Sequence, residues 1–108
     1  MRAPEIPEPP RRGESGGEPC SVCPGHDGPQ TVWSDERWIL NHGVHTSLPG
    51  MVWLTTRIHV DAFADLPSDL AADFGVLACR IDRALLDLPG TARTHVYRWG
   101  DGGAHFHV

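Results

Sequence analysis

Residues Trp99–Val108 read WGDGGAHFHV, and this stretch decides how the rest of the chain is interpreted. Side chains alternate along a strand, so His105 and His107 project from one face. The apolar residues that alternate with them face the opposite way and suit a buried surface: Ala104, Phe106 and Val108. Two neutral imidazoles on one face can bind a metal ion or carry out nucleophilic chemistry. The alternative is a pair of ordinary, half-exposed strand histidines.

Composition limits the classes of protein to which the chain can belong. Its 108 residues suffice for one domain with a modest core. Its apolar runs fall short of the ~18 residues of a membrane span, and proline and charge fill the place of a signal peptide's apolar segment. We therefore expect a cytoplasmic protein with no membrane partner. The net charge of -5 argues against a nucleic-acid partner, which would require basic surface.

The beginning of the chain differs in composition from the rest. Residues 1–19 are rich in Pro, Gly, Glu and Arg, and Ile6 is their single large aliphatic residue. Such a segment buries too little apolar area to offset its chain entropy. We therefore predict a disordered tail over residues 1–19 and an ordered domain over residues 20–108.

Cys20 and Cys23 form a C-x-x-C motif beside a turn-rich run, residues 24–29. In a cytoplasmic chain with three cysteines, metal binding is favoured over a disulfide framework. A C-x-x-C pair supplies half of a tetrahedral zinc site and needs two further ligands. A redox-active pair is one alternative, and a small zinc knuckle that adds His26 is another.

Short apolar and β-branched runs predict five strands. They cover Thr31–Ser34, Arg37–Leu40, Met51–Val60, Ala92–Trp99 and the closing H-x-H segment. The first two strands flank Asp35-Glu36, a pattern typical of a hairpin. Because the connections between strands are short, except where the helix intervenes, neighbouring strands should be antiparallel.

Leu66–Leu88 is predicted to form the main helix. Its apolar residues recur at three- and four-residue steps and make one stripe: Leu70, Phe74, Leu77, Ile81, Leu85 and Leu88. Pro67 suits the first turn, and Pro89-Gly90 ends the helix. The fold class expected is α+β, an antiparallel sheet of about five strands with this one main helix packed on it.

Four features occur in order along residues 20–108. They are Cys20-x-x-Cys23, the hairpin TVWSDERWIL, the P-G-strand-R-x-H-V block (Pro49, Gly50, Arg57, His59, Val60) with its following helix, and His105-Phe106-His107-Val108. Together they resemble the histidine-triad (HIT) superfamily of nucleotide hydrolases and transferases. The resemblance implies a HIT-like nucleotide-phosphate hydrolase or nucleotidyl transferase with a small-molecule nucleotide as partner, and it allows a homodimer.

The resemblance also implies roles for individual residues. His107 corresponds to the nucleophile that attacks the α-phosphorus and forms a covalent nucleotidyl–histidine. The counterparts of the family's structural zinc ligands are Cys20, Cys23, His59 and His105. Such a Cys2His2 set is a closed tetrahedron, which suits structural zinc. The expected substrate-binding residues are Asn41 near the ribose, Trp38 (or, as the alternative, Trp33) at the edge of a shallow cleft, and Gly102 and Gly103 beside the phosphate.

The chain departs from the family pattern at several positions. The third histidine would fall at position 109, beyond Val108, so we expect a C-terminally incomplete domain. Met51 stands where the family has histidine, and Asn41 stands where it has an acid. These departures weaken substrate contacts and leave the zinc ligands untouched. They keep open the alternative of a non-catalytic, zinc-stabilised module that binds nucleotides or other partners.

Overall fold

The computed structural model of the chain describes residues 7–24, 27–43, 48–100 and 103–108. The regular elements within them are β1 (Thr31–Ser34), β2 (Trp38–His42), β3 (Val52–Thr56), a short 3-10 helix (Phe63–Asp65) and α1 (Ser68–Leu86). The strands form one antiparallel sheet in the order β1-β2-β3. The described part of the chain is therefore α+β.

The hairpin between β1 and β2 closes around Asp35, as the sequence predicted. Its carboxylate accepts hydrogen bonds from the backbone N–H groups of Arg37, at 2.8 Å, and Trp38, at 2.7 Å. An aspartate that bonds to the backbone ahead of it fixes a tight turn. The turn sets the register in which Ser34 lies opposite Ile39.

The core lies between the sheet and α1. Leu40 of β2 lies opposite Leu54 of β3, and both face the helix. Leu70 and Leu77, from the predicted apolar stripe of α1, are buried against them. The helix begins after Pro67, whose fixed φ suits the position before the first turn. Within the described residues, no helix combines the length and apolar character needed to cross a membrane.

The closing segment, residues 103–108, adds its apolar side chains to this core, as the alternation predicted. Phe106 is fully buried, and its ring meets that of Trp38 edge-on at 6.1 Å between centroids. Val108 packs at the margin of the core and exchanges two backbone hydrogen bonds of 2.9 Å with Leu54. His107 lies on the other side of the sheet, where its ring centroid is 5.8 Å from that of Trp53.

The prediction of about five strands is wrong, because the described residues contain three. The closing segment lies beside β3 but forms a single antiparallel bridge, Thr55 with His107, and is too short to be a strand. The third strand is also shorter than predicted. It ends at Thr56, where the Thr56 hydroxyl donates to the Ile58 carbonyl at 2.9 Å and the chain bends.

Residues 92–99, predicted as the fourth strand, form no strand. The Thr94 hydroxyl donates a hydrogen bond to the carboxylate of Asp82 on α1. The Arg98 guanidinium donates to the carboxylate of Asp61 at 3.2 Å. These contacts hold the segment against the helix and against the turn after β3, so it does not pair with the closing segment.

Part of the predicted tail contacts the domain. The Arg11 guanidinium donates hydrogen bonds to the carboxylates of Asp61 and Glu14. The backbone of Arg12 forms a parallel bridge with Gly103 in the closing segment. The prediction of a disordered tail did not anticipate these contacts, because the partners lie far away in sequence. The first six residues of that tail lie outside the described part of the chain.

Candidate metal centre

Three separate parts of the chain bring four metal-ligating side chains together. Cys20 and Cys23 come from the C-x-x-C turn. His59 follows β3, and His105 lies in the closing segment. Each side chain offers one ligand atom, and the four atoms lie within 4.8 Å of one another. The residues that the HIT resemblance implied as ligands are thus gathered at one point, where they can bind a metal ion.

The spacing of the ligand atoms matches a single tetrahedral centre. His59 Nδ1 lies 3.3 Å from His105 Nδ1 and 3.1 Å from Cys23 Sγ. His105 Nδ1 lies 3.4 Å from Cys20 Sγ and 3.5 Å from Cys23 Sγ. Bonds of about 2.0–2.3 Å at tetrahedral angles place neighbouring ligand atoms about 3.3–3.8 Å apart. Four electron-rich atoms this close repel one another unless a proton or cation lies between them.

Burial and a backbone carbonyl prepare His105 for this role. The residue is 2% exposed, and its Nε2–H donates to the Thr56 carbonyl at 2.7 Å. With the proton on Nε2, the lone pair of Nδ1 faces the other ligand atoms. Burial lowers the pKa of His105 below its ordinary value. The imidazole is therefore neutral near pH 7, as a metal ligand must be.

The C-x-x-C turn prepares Cys20 to bind as a thiolate, the form that ligates metals. Burial alone raises the pKa of the Cys20 thiol, but backbone N–H groups of Cys23 and Val22 donate to its sulfur and more than offset burial. The Cys23 N–H donates across 3.3 Å. The pKa of Cys20 therefore lies below its ordinary value. Burial, together with the hydrogen bond to Cys20, raises the pKa of Cys23, so Cys20 ionises first.

A cleft of about 330 Å³ opens beside the metal centre. Its walls include Arg12 from the N-terminal segment, Trp53 and Thr55 of β3, and Gly103 and His107 of the closing segment. Cys20 and His105 also border the cleft, so it shares a wall with the metal centre. The cleft is therefore the space in which a ligand can contact His107.

Both ring nitrogens of His107 lie next to carbonyl oxygens. Nδ1 is 2.7 Å from the His105 carbonyl, and Nε2 is 2.7 Å from the Trp99 carbonyl. A neutral imidazole carries one N–H, so it donates to only one of them. When Nδ1–H donates to the His105 carbonyl, Nε2 holds the lone pair. That lone pair then faces the Trp99 carbonyl.

The predicted substrate-binding residues do not all reach the cleft. Trp38 is 0% exposed on the core side of the sheet, so it packs in the core and does not edge a ligand site. Asn41 is half-buried on β2 and accepts a 2.9 Å hydrogen bond from the Thr31 hydroxyl. It is not among the residues that line the cleft. Gly103 lines the cleft, and Gly102 lies outside the described residues.

The predicted site omitted six residues that line the cleft: Arg12, Ser21, Val22, Trp53, Thr55 and Ala104. A signal existed for two of them. Trp53 and Thr55 flank the core residue Leu54 on one strand, and alternation places them on the side opposite the core. Arg12 gave no signal, because it belongs to a segment whose composition predicts disorder.

No protein-family model matches the chain, and no curated protein matches it. Membership of the HIT superfamily therefore stays a prediction from the motifs. The alternative zinc knuckle needed His26, which lies outside the described residues. His59 and His105 complete a four-ligand set without it.

Proposed function

We propose that the four-residue centre binds zinc in a structural role. Two sulfur and two imidazole ligands suit zinc far better than the hard cations that prefer oxygen. The set is closed, since four protein ligands leave no position for a substrate. When bound, the ion cross-links the C-x-x-C turn to His59 and His105 and adds its binding free energy to that of folding.

We further propose that the chain is a HIT-like nucleotide-phosphate hydrolase or nucleotidyl transferase with His107 as nucleophile. The supporting observation is that His105 faces the metal centre while His107 borders the adjoining cleft, two residues along the same backbone. A metal bound by His105 fixes this backbone. The backbone that carries His107 is then held beside the cleft before any substrate arrives, which favours covalent catalysis.

We take Nε2 as the reactive nitrogen, in the tautomer whose Nδ1–H donates to the His105 carbonyl. This tautomer leaves the lone pair on Nε2, which attacks the α-phosphorus of a nucleoside phosphoramidate or dinucleoside polyphosphate. The N–P bond forms as the bond from phosphorus to the leaving group breaks, and the leaving group takes a proton from water. Water then attacks phosphorus, the N–P bond breaks and the water's extra proton is released. Nε2 must first part from the Trp99 carbonyl, 2.7 Å away.

The contact between His107 Nε2 and the Trp99 carbonyl also favours a second candidate function, a non-catalytic zinc-stabilised module that binds a nucleotide. A histidine whose Nε2 stays against the Trp99 carbonyl offers no lone pair to a substrate. The cleft and the metal centre would remain, and with them ligand binding. The two functions differ in one observable, a covalent adduct on His107.

Single-turnover mixing with adenosine 5′-phosphoramidate tests the choice. We expect intact-protein mass spectrometry to find one adenylyl group per chain in the wild type and none in His107→Ala. His95→Ala, which removes an exposed histidine from residues 91–100, is the matched control and should keep the adduct. Both variants should retain wild-type metal content, because neither residue belongs to the four-ligand set.

Each outcome separates the two functions. An adduct that survives in His107→Ala would remove His107 from its proposed role. A wild-type chain that binds AMP but forms no adduct, with unchanged hydrolysis in His107→Ala, would establish the binding module.

A further inference from the structure

Arg12 is a cation that borders the cleft without a carboxylate partner among the described residues. Four other arginines are each paired with one or more carboxylates: Arg11, Arg37, Arg57 and Arg98. Arg12 thus differs from these four, because it lines the cleft and no carboxylate of the described residues pairs with it. An unpaired guanidinium beside a cleft attracts an anion.

The backbone at Arg12 is held in place by its own hydrogen bond and by the contacts of its neighbour Arg11. Its carbonyl accepts a 2.7 Å hydrogen bond from the Ala104 N–H, next to the bridge with Gly103. On one side, the Arg11 guanidinium donates to Asp61 and to the Gly100 carbonyl, the latter at 2.9 Å. The side chain therefore begins from a fixed point on the rim of the cleft.

The charge of Arg12 also acts on the metal centre, where it helps to lower the pKa of the Cys20 thiol. Two thiolates and a divalent ion sum to zero, so the zinc proposed above would leave the guanidinium uncompensated. His107, which also lines the cleft, contributes no negative charge. The charge of Arg12 is thus available to a ligand that sits between it and His107.

We propose that Arg12 binds the phosphate of the nucleotide that occupies the cleft. A guanidinium donates two parallel hydrogen bonds to a phosphate, which gives both charge and orientation. The phosphate would then lie between Arg12 and His107, as attack by His107 on phosphorus requires. Because this inference rests on the proposed nucleotide site, its test measures binding rather than turnover.

Isothermal titration of the full chain with AMP, with adenosine and with inorganic pyrophosphate tests the inference. We expect Arg12→Gln to weaken AMP and pyrophosphate binding by about 10- to 100-fold, the effect of losing charged hydrogen bonds. Adenosine, which lacks phosphate, should bind both proteins alike. Arg80→Gln makes the same charge change on the exposed face of α1 and should change AMP binding less than twofold.

Arg12→Lys separates bidentate recognition from charge alone, and it should bind AMP with intermediate affinity. Metal content measured on every variant shows that the centre is intact. Equal weakening by Arg12→Gln and Arg80→Gln, or equal loss of AMP and adenosine, would overturn the role of Arg12. So would a wild-type chain that binds neither AMP nor pyrophosphate. AMP binding that depends on Arg12, without an adduct on His107, would contradict the proposed catalysis and would support this inference.

Discussion

His105 and His107 stand two residues apart on one backbone and both border the cleft, yet they differ in burial and in the groups that their ring nitrogens face. His105 is almost wholly buried, and its Nδ1 faces three other ligand atoms. His107 is half-buried beside an open cleft, against the ring of Trp53. One histidine is placed to hold a metal, and the other is placed to meet a ligand.

The difference lies in which ring nitrogens are in contact with backbone carbonyl oxygens. In His105 the Nε2–H donates a hydrogen bond to the Thr56 carbonyl, which leaves the lone pair of Nδ1 for the metal centre. In His107 both ring nitrogens lie 2.7 Å from backbone carbonyl oxygens, Nδ1 from that of His105 and Nε2 from that of Trp99. The two histidines therefore differ in their surroundings, because one carbonyl fixes the tautomer of His105 while two carbonyls compete for the single N–H of a neutral His107.

The largest expected effect comes from removing a metal ligand. Cys20→Ser and His105→Ala should each lose bound zinc and about 5 kcal/mol or more of unfolding free energy, enough to unfold a domain this small. Cys79→Ser, at an exposed free cysteine on α1, should lose neither. Elemental analysis and urea denaturation would measure both quantities. A Cys20→Ser protein with wild-type zinc and stability would show that the cluster is not a metal centre.

Two tryptophans on opposite sides of the sheet extend the comparison. Trp38→Ala empties a fully buried site and should cost about 3–5 kcal/mol. Trp53→Ala, at a half-buried site on the cleft wall, should cost less than about 2 kcal/mol and should weaken AMP binding. Urea denaturation and titration with AMP measure the two effects.

Trp38→Phe, which keeps an aromatic ring in the core, supplies a folded variant if Trp38→Ala does not fold. It should retain AMP binding within twofold. Reduced AMP binding in folded Trp38→Phe, with Trp53→Ala unaffected, would restore the original prediction that Trp38 contacts the ligand.

Local patterns predicted the elements whose geometry depends on near neighbours. The hairpin at Asp35, the apolar stripe of α1 and the opposite faces of Phe106 and His107 all follow from turn chemistry and side-chain periodicity. The metal ligands could be predicted as a set only through the family resemblance. Nothing in the spacing of Cys20 and His105, 85 residues apart, says that they meet.

Contacts between distant residues account for what the sequence could not predict. Residues 92–99 have a strand-like composition, but Thr94 and Arg98 bond to Asp82 and Asp61 and so prevent strand pairing. The face on which Trp38 lies depends on the register of β2, which its composition does not reveal. Arg12 is held at the cleft by backbone contacts and by the hydrogen bonds of Arg11, which join residues far apart in sequence. Its residue type therefore did not predict its position.

The smallest expected effect comes from Asp61, which anchors the segment that carries Arg12. Hydrogen bonds from Arg11 and then Arg98 hold the pKa of Asp61 below its ordinary value, despite partial burial. Because the folded pKa is the lower one, this stabilisation is present above the unfolded pKa of about 3.9 and is lost as the pH falls through the folded value. Asp61→Asn should therefore cost about 1 kcal/mol at pH 7, a typical value for partly exposed ion pairs.

The pH dependence distinguishes this ion pair from a purely steric role of Asp61. Urea denaturation from pH 7 to pH 3 should show the stability gap between wild type and Asp61→Asn beginning to shrink below about pH 4, where the carboxylate of the unfolded wild-type chain takes up a proton. Asp87→Asn, at an exposed carboxylate after α1, makes the same charge change and should show a smaller gap. A gap for Asp61→Asn that stays constant down to pH 3 would mean that shape, and not charge, holds Arg11 and the neighbouring Arg12 against the domain.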